Sequence, residues 1–263
     1  MSLDANTCIF ESQRYRVFRD DRHVWVQRCS DPDCDLSDGN TDATHRMTLS
    51  PYLVAMLQPL PFIEHPRDTI MIGLGGGVCA RFIHRYFPEL RLTAIEIDPE
   101  MVEIARNYFA LPKEDERFRI VVDDGVEFIH KHATQCDLIL SDSCDENNGI
   151  VEALHDEAFY TACHRILRPS GVMTVNIFRP DANWGQGYLA MLNRVFAEVY
   201  YIKIDENQFV MVLCKDKVSG RWPAILQTAK VLDAREGLGQ IEFAGLVKRL
   251  QANLAIRRQT AAK

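Results

Sequence analysis

Apolar and polar residues alternate from Asn6 to Arg28, a period of two that predicts strands. TCIFES reads as one strand. YRVFRDDRHVWVQRC reads as a hairpin, with Tyr15 and Val17 answered by Val24 and Val26 across a turn at Asp20-Asp21. The alternation then stops. CSDPDCDLSDGNTDATHR is rich in Asp, Ser, Gly and Asn and almost free of apolar residues, which predicts a solvated acidic loop. Next, Ser50 stands as an N-cap and Pro51 at the first helical position of a short helix, PYLVAMLQPL.

From Thr69 the pattern switches between apolar runs and helical spacing. TIMIGLGGGVCARFIHRYF is a strand, a turn at Gly73, Gly75, Gly76 and Gly77, and a helix with Val78, Phe82, Ile83 and Tyr86 on one face. LTAIEIDPE ends a second strand, and Pro99 opens a helix with Met101, Ile104, Ala105 and Tyr108 inward. RFRIVVDDG and CDLILSD are the third and fourth strands, the latter apolar between its polar ends, as expected of a strand buried on both faces. HDEAFYTACHRIL is a helix ended by RPSG, GVMTVNIF the fifth strand, and NWGQGYLAMLNRVF the next helix. VYYIKI and QFVMVLC, joined by DEN, form a hairpin; two helices follow, the second striped by Phe243, Val247, Leu250 and Leu254. The fold class expected is α/β: a doubly wound, Rossmann-like sheet of the S-adenosylmethionine-dependent transferase type with a closing antiparallel hairpin. The expected organisation is a small β-rich unit over 1–50, a nucleoside-binding catalytic domain over 51–215 and a helical extension over 216–263.

Composition narrows the class. The chain has 263 residues, 47% of them hydrophobic and 25% charged, as in ordinary globular proteins, and contains no apolar run long enough for a membrane span. The net charge of −7 argues against a nucleic-acid partner, whose phosphates select basic surfaces. The N-terminus MSLDANTC lacks a basic region followed by an apolar one, so no signal peptide is expected. The eight cysteines include no C-x-x-C pair; reduced thiols in the cytoplasm are expected. The expected assembly is a homodimer.

The chemistry gathers where strands end. The glycine turn brings backbone N–H groups and a helix N-terminus close to a ligand. It is no P-loop, since no Gly-Lys-Ser/Thr follows; Gly75, Gly77 and Ala80 fit G-x-G-x-x-A, a pattern shared by dinucleotide and adenosyl-sulfonium enzymes. Glu96, followed by Asp98, is placed to accept both hydroxyls of a ribose. Asp124-Gly125 puts a carboxylate within reach of an adenine amino group, although Asp124 serves equally as a helix N-cap. In LILSDSCDENNG, Asp142 and Asp145 can bind a cation or take a proton from an ammonium. Asp31, Asp33 and Asp35 alternate as in a calcium loop, but Leu36 stands where that loop needs glycine and Asp42 where it needs glutamate, so no metal site is expected.

Taken together, IGLGGG, AIEIDPEMVEIARNYF, DDGVEFI, DLILSDSCDE and EAFYTACHRILRPSGVMTVN resemble the spermidine synthases, the polyamine aminopropyltransferases, over about Asp68 to Phe178. The resemblance implies transfer of an aminopropyl group from decarboxylated S-adenosylmethionine to a small amine such as putrescine. By position it implies that Glu96 holds the ribose and Asp124 the adenine, that Asp142 is the base with Asp145 assisting, and that Tyr52 lies near the amine. The chain departs from the family's G-G-G-D-G at Gly76, where the family's aspartate meets the donor's ammonium. Without it, intact S-adenosylmethionine is also admissible, and methyl transfer on the same fold stands as the alternative.

Overall fold

The computed structural model describes residues 7–40, 47–131, 134–144, 151–178 and 186–250. The N-terminal alternation folds as expected into β1 (Thr7–Glu11), β2 (Tyr15–Arg19) and β3 (His23–Arg28). Tyr15, Val17, Val24 and Val26 are buried together. Asp20 makes the turn by accepting the N–H groups of Arg22 (2.7 Å) and His23 (2.6 Å).

The expected acidic loop is instead largely a strand, β4 (Asp31–Asn40), antiparallel to β3 in a sheet of order β1-β2-β3-β4. Its backbone is satisfied by pairing with β3, with register shifts on either side of Gln27, so the strand needs no apolar side chains of its own to form. Gln27 donates across the pair to Asp35 (2.8 Å).

A seven-stranded sheet follows, in the order β10-β11-β9-β8-β5-β6-β7. Its parallel members are β5 (Asp68–Ile72), β6 (Arg91–Glu96), β7 (Phe118–Val122), β8 (Cys136–Ser141) and β9 (Leu167–Phe178). The hairpin β10 (Glu198–Lys203) and β11 (Gln208–Cys214) closes one side, with β11 antiparallel to β9. Every residue of β8 is buried, its apolar stretch Leu138–Leu140 together with the polar Asp137 and Ser141. The direction of strand order reverses between β5 and β8, the switch point where α/β sheets open a crevice.

The crossovers are α2 (Val78–Tyr86), α3 (Pro99–Tyr108), α4 (Gly125–Lys131), α5 (Glu157–Ile166) and α6 (Gln186–Val195); α1 (Pro51–Leu57) precedes them. Ser50 is the N-cap residue of α1, as expected, but its side chain makes no capping hydrogen bond. RPSG does not separate helix from strand: β9 starts directly at Leu167, and the register shift between Cys136 and Leu138 of β8 leaves these residues as a bulge, with Ser170 at φ 61°. After the sheet come α7 (Trp222–Asp233) and a helix over 243–250, which buries Phe243, Val247 and Leu250; Leu254 lies outside the described residues. Gln58 ties this segment to the end of α1 by donating to the carbonyl of Ile241 (2.7 Å). Among the described residues no helix is long and apolar enough to cross a membrane.

Candidate active site

A cavity of about 980 Å³ lies at the carboxyl ends of β5, β6, β7 and β8, with Tyr52 of α1 and residues of the N-terminal sheet completing its wall. It is at the upper end of small-molecule site sizes.

The glycine turn is shaped by what faces it. Gly73 (φ 87°) has the carbonyl oxygen of Asp142 only 2.1 Å from where a Cβ would stand, so the ends of β5 and β8 can meet only over a glycine. The N–H of Asp142 donates to Ile72 (2.8 Å) across the same junction. Gly73 and Gly75 line the cavity; Gly76 and Gly77 are not among its lining residues. A Cβ on Gly76 would stand 2.5 Å from the Phe109 ring and 2.8 Å from Ser37 Oγ; one on Gly77 would meet Leu111.

Glu96 is buried at the end of β6. Its Oε2 accepts the N–H of Leu74 (2.8 Å) and its Oε1 that of Asp98 (3.0 Å). It thus braces the glycine turn, and each oxygen keeps a further lone pair for a ligand hydroxyl. Asp98 faces the cavity but is heavily engaged: it caps α3 through the N–H of Glu100 (2.9 Å) and accepts from Tyr15 Oη (2.7 Å) and Arg14 (2.8 Å). Burial works to lift its carboxyl, but the bonds from Tyr15, Arg14 and Glu100 outweigh it and hold the group below the usual carboxylate range. Asp124 caps α4 through the N–H groups of Val126 (2.7 Å) and Glu127 (3.2 Å), while lining the cavity. Gly125 is also at the wall, and a Cβ there would strike Ile72 Cγ2 at 2.5 Å.

Asp142 sits at the switch point. Asn176 Nδ2 donates to its Oδ1 (2.9 Å), and the Tyr52 hydroxyl also bonds the carboxylate. Burial lifts the proton affinity of Asp142; the bonds from Asn176 and Tyr52 oppose that without cancelling it. The Tyr52 hydroxyl is itself driven well up, by burial first and then by the charge of Asp142. Asp145 lies outside the described residues. Of the candidates read from the sequence, the structure therefore brings Tyr52, Gly73, Gly75, Glu96, Asp98, Asp124, Gly125 and Asp142 to one cavity.

A family model described as "Spermine/spermidine synthase domain" matches residues 53–183. A polyamine aminopropyltransferase of Chromobacterium violaceum is 35% identical over 204 residues, 76% of this chain and 76% of that protein. The chain belongs to the spermine/spermidine synthase family. An eEF1A lysine and N-terminal methyltransferase homolog of Drosophila pseudoobscura pseudoobscura is 32% identical over 200 residues, covering 70% of this chain but 29% of the relative. The fold is shared with a spermidine synthase solved in complex with the transition-state analogue AdoDATO, with a TM-score of 0.65 and 18% identity, covering 95% of this chain and 88% of that one. These relatives are transferases, and this family member is an enzyme of the same class.

Several wall residues of this family member escape a reading of the sequence. Asn176 and Gln208 are two of them, and Asn176 carries a visible signal, a polar amide near the carboxyl end of the mostly apolar stretch GVMTVNIF. Arg14 and Tyr15 come from the N-terminal sheet, Cys79 from α2. His155 follows a single 3-10 turn (Glu152–Leu154); its Nδ1 lies 2.9 Å from Tyr188 Oη and 3.1 Å from Tyr160 Oη, and burial pushes the imidazole down to about 4, so it stays neutral. β4, expected as a solvated acidic loop, contributes Asp35, Leu36 and Ser37 to the wall. Among the described residues no cluster of three His, Cys, Asp or Glu side chains could hold a metal ion.

Proposed function

We propose that the chain transfers an aminopropyl group from decarboxylated S-adenosylmethionine to a primary amine of the putrescine class, with Asp142 as the base. The observation that carries this reading is the setting of Asp142: a carboxylate at the switch point, facing the cavity, with its proton affinity raised by burial. The glycine turn and Glu96 fit the nucleoside end of such a donor, since Gly73 opens the backbone and each Glu96 oxygen has a lone pair to offer a ribose hydroxyl. Asp124 retains the carboxylate oxygen not used in capping for an adenine amino group.

An amine attacks only when its nitrogen is unprotonated. Asp142 takes the proton from the acceptor nitrogen, Tyr52 stands beside it, and the nitrogen attacks the propyl carbon next to the sulfonium. The new C–N bond forms as the C–S bond breaks, with inversion at that carbon, and methylthioadenosine leaves as a neutral thioether. The test is product analysis with decarboxylated S-adenosylmethionine and putrescine. Wild-type protein yields spermidine and methylthioadenosine in equal amounts; Asp142→Asn lowers turnover by about a hundredfold or more while donor affinity stays within a few-fold.

A second reading, methyl transfer from intact S-adenosylmethionine, is supported by Gly76. Phe109 and Ser37 fill the direction a side chain at 76 would take, so no carboxylate can stand there to repel the donor's own carboxylate. The similarity to eEF1A methyltransferases at 32% identity supports the same reading. Methyl rather than aminopropyl products with intact donor would decide for it.

A further inference from the structure

Four cavity-lining side chains form one hydrogen-bonded chain: Gln208 Nε2 donates to Asn176 Oδ1 (2.9 Å), Asn176 Nδ2 donates to Asp142 Oδ1 (2.9 Å), and Tyr52 bonds the same carboxylate. The chain depends on strand order. Asn176 of β9 stands opposite Val210 of β11, and Val175 opposite Ser141 of β8, so three neighbouring strands deliver the three groups. The closing hairpin holds the backbone at the far end in place, because the main-chain carbonyl of Gln208 accepts the N–H groups of Ile204 (2.9 Å) and Asp205 (3.3 Å).

A primary amide has an acceptor and a donor of nearly the same shape, and its partners decide which faces which way. With Gln208 donating to its oxygen, Asn176 must turn its NH2 toward Asp142. That bond is strongest to an ionised carboxylate, where it is charge-assisted; a protonated carboxyl keeps it only through its carbonyl oxygen. A protonated Asp142 that donated along this line would need Asn176 to flip, and the flip would set its NH2 against the NH2 of Gln208. We infer that Asn176 and Gln208 are positioning residues which hold Asp142 in its proton-accepting form and fix one of its oxygens, leaving the other for the acceptor. This rests on the reading of Asp142 as the base. The titratable group acting on Asp142 is Tyr52 of α1; the charge of Asp142 in turn acts on Cys79 of α2, and Cys144 on its own loop acts on Tyr52, while Glu96 and Asp124 line the cavity wall.

The experiment follows the carboxyl carbon of Asp142 by NMR in protein labelled at aspartate, with Asp142→Asn identifying the resonance. Asn176→Ala removes a donor to the carboxylate and raises its proton affinity by about tenfold. Gln208→Met, close in size but without an N–H, frees Asn176 to flip and moves it in the same direction by a smaller factor. In turnover of decarboxylated S-adenosylmethionine with putrescine, both variants shift the acid limb of kcat/KM to higher pH, with donor affinity unchanged. Circular dichroism checks that each folds, and the two changes lie on different strands, so one answers if the other does not fold. Titration of Asp142 at the wild-type position in both variants overturns the inference and leaves Asp142 as the base. Wild-type turnover by Asp142→Asn overturns the base assignment instead, while the titrations still decide whether the amides govern its protonation.

Discussion

Gly73 and Asp142 meet at the switch point, and their chemistry gives opposite predictions for stability. Gly73→Ala forces a φ of 87° on a residue with a Cβ and sets that Cβ 2.1 Å from a backbone oxygen. Left-handed strain alone costs about 1–3 kcal/mol, and the collision adds to it, so chemical denaturation is expected to show a loss above that range together with lost donor binding. Gly75→Ala is the control: its φ is 53°, but the nearest atom to its Cβ is 3.7 Å away, so only about 1–2 kcal/mol of strain is expected. Asp142→Asn should leave the fold as stable or more so at neutral pH. Its carboxyl is raised in the folded state, so its favourable contribution is complete below the ordinary carboxylate range and is lost as pH rises through the folded value. Thermal melts of variant and wild type should therefore diverge toward neutral pH, variant higher, and converge in acid. A variant that melts lower at neutral pH than in acid, relative to wild type, would contradict the assignment.

At the scale of elements, the N-terminal sheet is strapped to the site through Asp98. Tyr15 of β2 and Arg14 just before it reach the N-cap of α3, with Asp98 nearly buried and Arg14 largely exposed. Tyr15→Phe should cost about 1–2 kcal/mol, because it removes a donor from a buried carboxylate; Arg14→Ala should cost less than about 1 kcal/mol, being screened by solvent. The Asp98 carboxyl is lowered on folding, so the stability it supplies is present above the ordinary carboxylate range and fades as pH falls through its lowered value. The Tyr15→Phe deficit, measured by urea unfolding, should shrink accordingly in acid. The parallel strands were legible because each is an apolar run that ends in a polar cluster: Ile70–Ile72 before Gly73, Ala94-Ile95 before Glu96, Leu138–Leu140 before Asp142. β4 was not legible, because an edge strand can satisfy its backbone against β3 while carrying carboxylates that hide the period of two. The partnership of Asn176 with Gln208 was out of reach for a different reason: it depends on the register between β9 and β11, which no local pattern encodes.

Over the whole molecule, strand order and site are one statement. The sequence shows four strand ends that carry candidate chemistry, those of β5, β6, β7 and β8; the order β9-β8-β5-β6-β7 is what sets β8 beside β5 and makes a single cavity of them. The closing hairpin, read from the sequence as an ending typical of the fold, also carries Gln208, which donates to Asn176. A donor that fills the cavity should stabilise the protein by about 2.7 kcal/mol at a hundred times its Kd, and by the same amount in Asp142→Asn, since the proposed role of Asp142 leaves the nucleoside end to other residues. The most direct measurement is calorimetry of decarboxylated and intact S-adenosylmethionine, each with and without putrescine, followed by product analysis of the same mixtures. The account predicts that the decarboxylated form binds and, with putrescine, turns over to spermidine and methylthioadenosine in wild type but not in Asp142→Asn. Binding of the intact form alone, with no aminopropyl product under any condition, would contradict it.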